Sequence, residues 1–177
     1  MPVVIKNRLT QEVILVVDAE SLKGANLEGA NLACADLYSE NLEGANLRGA
    51  NLRNAFMRHA NLRDAKLEGA DLTGAHLWKA DLSNVNLESV NFRSVDDLSG
   101  VNFSNTNLRY ANFWQADLSD VNFNNADLSY ANLEDTILIG ADFFGAKLEG
   151  ANLKDVDIGI EGYTLVNKNS ICKQKFS

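Results

Sequence analysis

The stretch ANLEGANL, residues 25–32, contains two consecutive copies of the five-residue unit that fills most of this chain. Each unit has Ala at i−2, Asn or Asp at i−1, a large apolar residue at the central position i, and two mostly polar residues after it. Central residues recur every five positions from Leu22 to Ile158, apart from one step of six. A fixed period of this kind indicates a repeat architecture.

The period of five fits neither a helix nor a continuous strand. Ala and Leu favour helices, but five residues advance about 140° around a helix, so central residues would not share a face. On a straight strand, the same step would alternate faces. A chain that turns a corner in every repeat keeps them all inside. Gly at i+2, as at Gly24 and Gly29, favours a type II turn, which requires positive φ there.

This pattern resembles the pentapeptide repeat family, whose members fold as right-handed quadrilateral β-helices. The resemblance covers residues 21–160. It implies an all-β solenoid of about seven coils, each made of four pentapeptides with i and i−2 inward. Residues 1–20 are then an N-terminal cap, and residues 161–177 form a C-terminal capping or dimerisation tail. Apolar runs at 3–5 and 13–17 favour a β-hairpin in the N-terminal cap, with a short amphipathic helix as the alternative.

Residues 20 apart in such a solenoid stack as neighbours on one face. Phe103, Phe123 and Phe143 are therefore expected to form an aromatic ladder in the core. Phe92 and Phe113 are 21 apart, and the six-residue step between them places them on one face as well. We expect these two rings to stack in the same way.

Two departures from the repeat predict local irregularities. The six-residue step lies within residues 94–97, where we expect a bulged corner. Glu20 and Glu40 occupy the small inward i−2 position. A buried unpaired carboxylate is unfavourable, so Glu40 is expected either to distort its coil or to turn outward.

Composition narrows the classes of function. The chain has 16 basic and 24 acidic residues and a net charge of −8, which favours solubility and argues against direct nucleic-acid binding. No apolar run is long enough for a signal peptide or a membrane span. The expected protein is cytoplasmic, makes no membrane contact and, by its resemblance, is bacterial. Its oligomeric state is expected to be a monomer or an end-to-end homodimer through a terminal coil.

No pattern typical of an active site is present in the sequence. Nucleophile–base pairs, phosphate-binding loops and zinc signatures are absent. His59 and His76 are the only histidines and are expected to be solvated surface residues. We therefore predict no catalytic residue, no cofactor and no metal site, and a protein that is not an enzyme.

One face of the predicted solenoid, made by the fourth repeat of each coil, concentrates aromatic residues. Tyr38, Arg58 and Trp78 are 20 apart at i+1, which would stack the guanidinium between two rings. Exposed aromatic and Arg side chains anchor protein interfaces, although such columns can also serve only to stabilise the coil from outside. The candidate protein-contact residues are Tyr38, Phe56, Arg58, His76, Trp78, Ile137 and Ile139, and the same face carries Asp36, Asp97, Asp117, Asp120 and Asp157.

The sequence favours a non-catalytic structural or protein-interaction module with an unknown protein partner. The alternative comes from the resemblance, since some family members mimic DNA, bind gyrase and protect it from quinolones. The net charge fits a modulator of a type II topoisomerase. The arrangement of charge fits less well, because arginines interleave with the acidic residues and a mimic should present one sign of charge continuously. These arginines are Arg48, Arg53, Arg58, Arg63, Arg93 and Arg109.

Overall fold

The computed structural model describes residues 1–93, 95 and 97–159. Strand β1 spans Val3–Lys6 and strand β2 spans Val13–Val17, and the two pair antiparallel in a two-stranded sheet. The rest of the described chain consists of turns and single parallel bridges. It holds no helix that could cross a membrane. The predicted C-terminal tail, residues 161–177, lies outside the described residues.

Parallel bridges between residues 20 apart close the repeats into a square. Asn26 pairs with Asn46, and the next three i−1 positions pair with their own partners 20 residues later. Since the fifth repeat returns to the first ladder, four repeats make one coil, and the sides of the solenoid are four parallel ladders. The predicted all-β quadrilateral β-helix is confirmed.

A hydrogen-bonded turn forms the corner after most repeats. The Ala25 amide donates to the Leu22 carbonyl at 3.1 Å, and Gly24 between them has a φ of 65°. Every described residue at i+2 has positive φ, including His59 at 59° and Tyr110 at 58°. Positive φ at the third turn residue is typical of a type II turn. The corners therefore keep this geometry where side chains replace Gly.

The polar i−1 positions hold the ladders together from outside. Asn46 donates from Nδ2 to Oδ1 of Asn26 at 3.0 Å, and Asn51 does the same to Asn31 at 2.9 Å. The same Oδ1 atoms accept hydrogen bonds from backbone amides two residues later, for example Oδ1 of Asn31 from the amide of Ala33 at 3.4 Å. This dual use explains why Asn and Asp fill i−1, since their short side chains reach local backbone groups.

Central apolar residues, mostly Leu, fill the interior, and between Phe92 and Phe143 the core contains two columns of Phe. Phe92 stacks on Phe113 with ring centroids 4.7 Å apart. Phe123 lies 5.6 Å from Phe103 on one side and 4.9 Å from Phe143 on the other. The two columns also meet edge to face, since Phe113 lies 6.0 Å from both Phe103 and Phe123. The aromatic core is therefore one continuous cluster across two sides of the square.

The N-terminal hairpin docks on the first coil through its backbone. The Arg8 amide donates to the Cys34 carbonyl, and the Asp36 amide donates to the Lys6 carbonyl, both at 2.8 Å. Ile5 on β1 is buried against the core. The hairpin thereby covers one exposed strand edge and part of the open core, the two features that the end of a solenoid must protect.

The structure decides between the two expectations for Glu40. The Asn61 amide donates to its carbonyl at 2.9 Å, as in regular repeats, so the expected distortion of the coil is wrong. Glu40 is half-buried and lines a surface groove beside the hairpin. Its carboxylate thus avoids full burial beside the cap, and Glu20 is exposed.

The six-residue step changes the register of the ladders. Bridges join residues 20 apart up to Asn61 and Asp81, whereas His76 pairs with Asp97 and Asp81 pairs with Asn102, at a spacing of 21. The extra residue is therefore absorbed at one corner without loss of the parallel ladders beyond it. Ser94 and Asp96, on which the shape of the predicted bulge depends, lie outside the described residues.

Two adjacent ladders are interrupted between the third and fourth coils, and we call this interruption the seam. In the described part of the chain, no ladder hydrogen bond or bridge joins the strands around Leu67 and Leu72 to those around Leu87 and Phe92. Equivalent bonds one coil earlier are present, for example from Leu47 to Lys66 at 2.8 Å. Half of the perimeter is therefore joined there by side-chain packing alone.

Hydrogen exchange should reveal the seam directly. We expect the amides of Leu67 and Leu72 to exchange at least about tenfold faster than those of Leu47 and Leu52, because protection follows local backbone hydrogen bonding. All four side chains are buried, so exposure does not explain the difference. Amide exchange followed by NMR checks this, and equal protection at the four sites would contradict the seam.

Candidate protein-contact face

The contact face is the side of the solenoid made by every fourth repeat, and parallel bridges join its i−1 residues from Asp36 to Asp97 and from Asp117 to Asp157. In order along the axis, the i−1 residues are Asp36, Phe56, His76, Asp97, Asp117, Ile137 and Asp157. Because the ladder fixes their spacing at about 4.8 Å, side chains on this face are held on a rigid backbone.

Aromatic side chains cluster at the N-terminal end of the contact face. Tyr38 stacks on Phe56 with ring centroids 6.0 Å apart, and Phe56 lies 5.5 Å from His76. His59 contacts Tyr38 at 5.7 Å and makes an edge contact with Trp78 at 4.8 Å. The structure thus brings together Tyr38, Phe56, His76 and Trp78 of the predicted set. His59, which was not in the predicted set, also lies in this cluster. It is exposed, as expected, and contacts both Tyr38 and Trp78.

Three cations lie over these rings. The Arg8 guanidinium is 4.5 Å from the Phe56 ring centre, that of Arg58 is 5.3 Å from the same ring, and Lys79 Nζ is 4.5 Å from Trp78. The prediction that Arg58 lies between Tyr38 and Trp78 is wrong, because Phe56 and His59 occupy the space around it. Arg8 was not predicted, since only the docking of the hairpin brings it here.

The other end of the contact face is acidic and aliphatic. Ile137 and Ile139 are exposed, and Asp117 and Asp157 flank Ile137 on the same ladder. Asp117 accepts a hydrogen bond from the Ser119 amide at 2.9 Å. Asp120 is exposed at the neighbouring corner. Ile137 and Ile139 therefore lie far from the aromatic cluster, and the predicted residues form two separate groups.

A polar groove of about 300 Å³ lies between the hairpin and the aromatic cluster. Arg8 and Asp36 form an ion pair at 2.9 Å in its wall. The groove has a basic side from β1 and an acidic side from the coils. Its lining residues are Val4, Lys6, Arg8, Gln11, Asp36, Tyr38 and Glu40.

A smaller pair of stacked rings lies on another face of the solenoid. Tyr110 stacks on Tyr130 at 5.2 Å, with the Arg109 guanidinium 5.5 Å and 5.6 Å from the two rings. Arg109 also lies 3.7 Å from Asp127. This smaller pair therefore fits a stabilising role and serves as a comparison for the contact face.

Ion pairs between neighbouring coils predict an acid-sensitive contribution to stability. Hydrogen bonds from Arg63 and Lys23 lower the pKa of Glu43, with contacts of 2.9 Å and 3.2 Å. The pKa of a Glu carboxyl in the unfolded chain is about 4.3. Because folding lowers the pKa of Glu43, its ion pairs stabilise the fold fully above that value, and this stability is lost as the pH falls through the pKa in the folded state. We expect the urea midpoint of the wild type to fall more between pH 7 and pH 3 than that of Glu43→Gln. Identical pH dependence would contradict this.

The described residues include no candidate metal site, because no group of three or more His, Cys, Asp or Glu side chains among them could hold an ion. The arrangement offers instead stacked rings, cations and carboxylates on a fixed lattice. Such a surface can bind another surface, with aromatic rings as anchors and charges setting the orientation.

Comparisons with known proteins agree with this architecture. The family described as "Pentapeptide repeats" matches in 8 copies, over residues 21–39, 41–78, 70–96, 97–125 and 116–155. A search of curated proteins finds no match. Among solved structures, HetL of the cyanobacterium Nostoc, a pentapeptide repeat protein involved in heterocyst differentiation regulation, is 36% identical over 85% of this chain, with a TM-score of 0.36. This chain spans 63% of HetL.

Two further solved structures show the spread of the similarity. A thylakoid-lumen pentapeptide repeat protein of Arabidopsis thaliana is 30% identical, covers 67% of this chain and 68% of its own, and has a TM-score of 0.34. QnrB1, a plasmid-mediated fluoroquinolone resistance protein, is 18% identical over 68% of this chain and 78% of its own, with a TM-score of 0.33. The family matches span well over half of the sequence. This chain belongs to the pentapeptide repeat family and has its right-handed β-helical fold.

Proposed function

We propose that this protein is a non-catalytic interaction module that binds a protein partner through its contact face. The observation that carries the proposal is the aromatic cluster, in which Tyr38, Phe56, His59, His76 and Trp78 touch one another on one rigid surface. Tyr38 is 52% exposed and Trp78 is half-buried. Rings that are held in place and still accessible lose little entropy on binding, which is the property of interface anchors.

The cations of the cluster support the same role. Arg58 and Lys79 form no ion pair with any described carboxylate and lie against rings instead. The Arg58 Nε is buried without a hydrogen-bond partner among the described residues. Because that atom is not accessible, it is the charges of Arg58 and Lys79, which no described carboxylate neutralises, that could meet carboxylates of a partner. In this proposal the protein acts in the cytoplasm, without a cofactor and without direct contact to nucleic acid or membrane.

A DNA-mimicking modulator of a type II topoisomerase is the second candidate, favoured by the net charge of −8. The ion pairs argue against it. Arg48 lies 3.1 Å from Glu68, and Arg53 lies 3.0 Å from Asp71, so arginines offset carboxylates on two sides of the solenoid. A mimic needs a continuous negative surface to steer a DNA-binding partner.

Affinity capture with matched variants tests the proposed function. The full chain is compared with a Tyr38→Ala, Arg58→Ala, Trp78→Ala variant and with a Tyr110→Ala, Tyr130→Ala control on another face. We expect a partner that the wild type and the control retain and that the contact-face variant loses at least about tenfold. A partner bound equally by all three would place binding elsewhere and overturn the proposal. Recovery of a type II topoisomerase would favour the second candidate.

A further inference from the structure

We propose that a second copy of this chain is the partner that the contact face binds, in an antiparallel dimer. This inference rests on the proposed function, because it uses the same face. Its basis is the division of that face into two unlike ends. The N-terminal end carries rings and cations, among them Arg58 and Lys79, whereas the C-terminal end carries exposed Ile137 and the carboxylates of Asp117 and Asp120.

A two-fold axis fixes which residues would meet. If the axis lies in the plane of the face, at right angles to the solenoid, and passes by Asp97, residues at equal ladder distances from Asp97 oppose each other. His76 and Asp117 are one step away, and Phe56 and Ile137 are two steps away. Such a rotation keeps each column opposite itself, so i−1 residues of one copy face i−1 residues of the other. An isologous interface makes every such contact twice.

The resulting contacts are complementary in the i−1 column at Phe56 and at the corner at Lys79, whereas Arg58 in the i+1 column faces Ile139. Phe56 of each copy faces Ile137 of the other, which joins two apolar side chains. At the adjoining corner, Lys79 faces Asp120, and both are exposed residues with positive φ, at 54° and 57°. Neither residue forms an ion pair with another described residue. Opposite charges placed opposite each other set the orientation of an interface.

The parallel arrangement of the same two faces is excluded by charge. With the two-fold axis along the solenoid, each level of one copy would face the same level of the other. If the axis lies between the i−1 and i+2 columns, Asp117 would face Asp120 of its partner, and Lys79 would face His76 and not a carboxylate. Like charges brought together across an interface are unfavourable by several kcal/mol, so the antiparallel orientation is selected.

The like-charged contacts that remain lie at the axis and at the two ends. Asp97 faces itself at the axis, where its carboxylate already accepts hydrogen bonds from the amide and hydroxyl of Ser99 at 3.0 Å and 2.8 Å. Asp36 faces Asp157, but Arg8 lies 2.9 Å from Asp36 and supplies a positive charge there. Between the axis and the ends, the Lys79–Asp120 ion pairs and the Phe56–Ile137 contacts would stabilise the dimer.

The size of the face sets the expected strength. Six ladder steps give a face about 29 Å long, and only part of each repeat is extended between its corners, so two such faces bury at most about 1,000 Å² in total. Specific interfaces begin at about this size, and those at the lower end are weak. We therefore expect a dissociation constant in the micromolar range rather than a permanent dimer.

Sedimentation equilibrium with charge-swap variants of the full chain tests the inference. The wild type is expected to dimerise, and Lys79→Glu and Asp120→Lys are each expected to weaken dimerisation at least about tenfold, because each creates two like-charged contacts. An equimolar mixture of the two variants should restore dimers, since both contacts then join opposite charges. Asp64→Lys makes the same charge change at a corner away from the face, and should dimerise as the wild type does.

The outcomes separate this inference from the proposed function. A wild type that stays monomeric up to about 1 mM would overturn the inference, because that excludes micromolar association. A mixture that associates no better than the single variants would also overturn it. If the wild type is monomeric but captures another protein that the contact-face variant does not retain, the proposed function stands and only the dimer fails. Thermal unfolding of each variant confirms that it is folded.

Discussion

Phe113→Ala is expected to lower the free energy of unfolding by about 3–5 kcal/mol, as for other buried Phe to Ala substitutions. Phe113 is fully buried, and its ring stacks on Phe92 at 4.7 Å while meeting Phe103 and Phe123 edge to face. Removing it opens a cavity at the point where the two columns of rings meet. Because parallel ladders surround this site, the coils cannot collapse to fill it. Urea denaturation followed by circular dichroism measures the loss.

Phe144→Ala provides the matched control, because Phe144 is 77% exposed and leaves no cavity. We expect its effect to stay within about 0.5 kcal/mol, the usual range for surface substitutions. A loss below about 1 kcal/mol for Phe113→Ala would contradict the account of a continuous, closely packed aromatic core.

Ala60→Glu is the second substitution with a large expected effect. Ala60 is fully buried at the inward i−2 position one coil below Glu40. Its amide and carbonyl are both used, at 3.0 Å to Met57 and 2.9 Å from Asp81. A carboxylate placed there would be buried without a partner, and uncompensated buried charges destabilise by about 3–5 kcal/mol. We expect a corresponding fall in the urea midpoint at pH 7.

Glu40→Ala tests the same explanation in the other direction. Glu40 sits at an equivalent position but lines the groove beside the hairpin, where it is half-buried. We expect its removal to change stability by less than about 1 kcal/mol. If Ala60→Glu were tolerated equally well, the interior below the cap would have to admit water, contrary to the packing described.

The sequence predicts the repeating part of the fold because each repeat carries its own signals. The spacing of Leu27 and Leu32, together with Gly29 between them, is enough to exclude helix and straight strand and to place a turn. Residue spacing also predicts the Phe92–Phe113 stack, since one inserted residue accounts for a separation of 21. These contacts depend only on ladder register, which the period determines.

The sequence does not predict contacts that depend on how non-repeating segments dock. Arg8 reaches Phe56 only because the Arg8 amide bonds to the Cys34 carbonyl on the first coil. Residue spacing also does not determine the direction of side chains within the face, and the prediction for Arg58 is wrong for that reason. Spacing places Arg58 in one column with Tyr38 and Trp78. The guanidinium lies instead over the ring of Phe56, which belongs to the neighbouring i−1 column. The seam likewise leaves no signal in the period, because Leu67 and Leu72 keep their positions in the repeat.

Photo-crosslinking from the contact face shows whether a protein binds there. A photoreactive p-benzoylphenylalanine is placed at Trp78 in the full chain and, as a control, at Tyr110, which lies on a different face. We expect protein adducts from position 78 and none above background from position 110, and the adduct mass distinguishes a second copy from another protein. Equal adducts from both positions, or none from position 78, would contradict the claim that this face binds a protein partner.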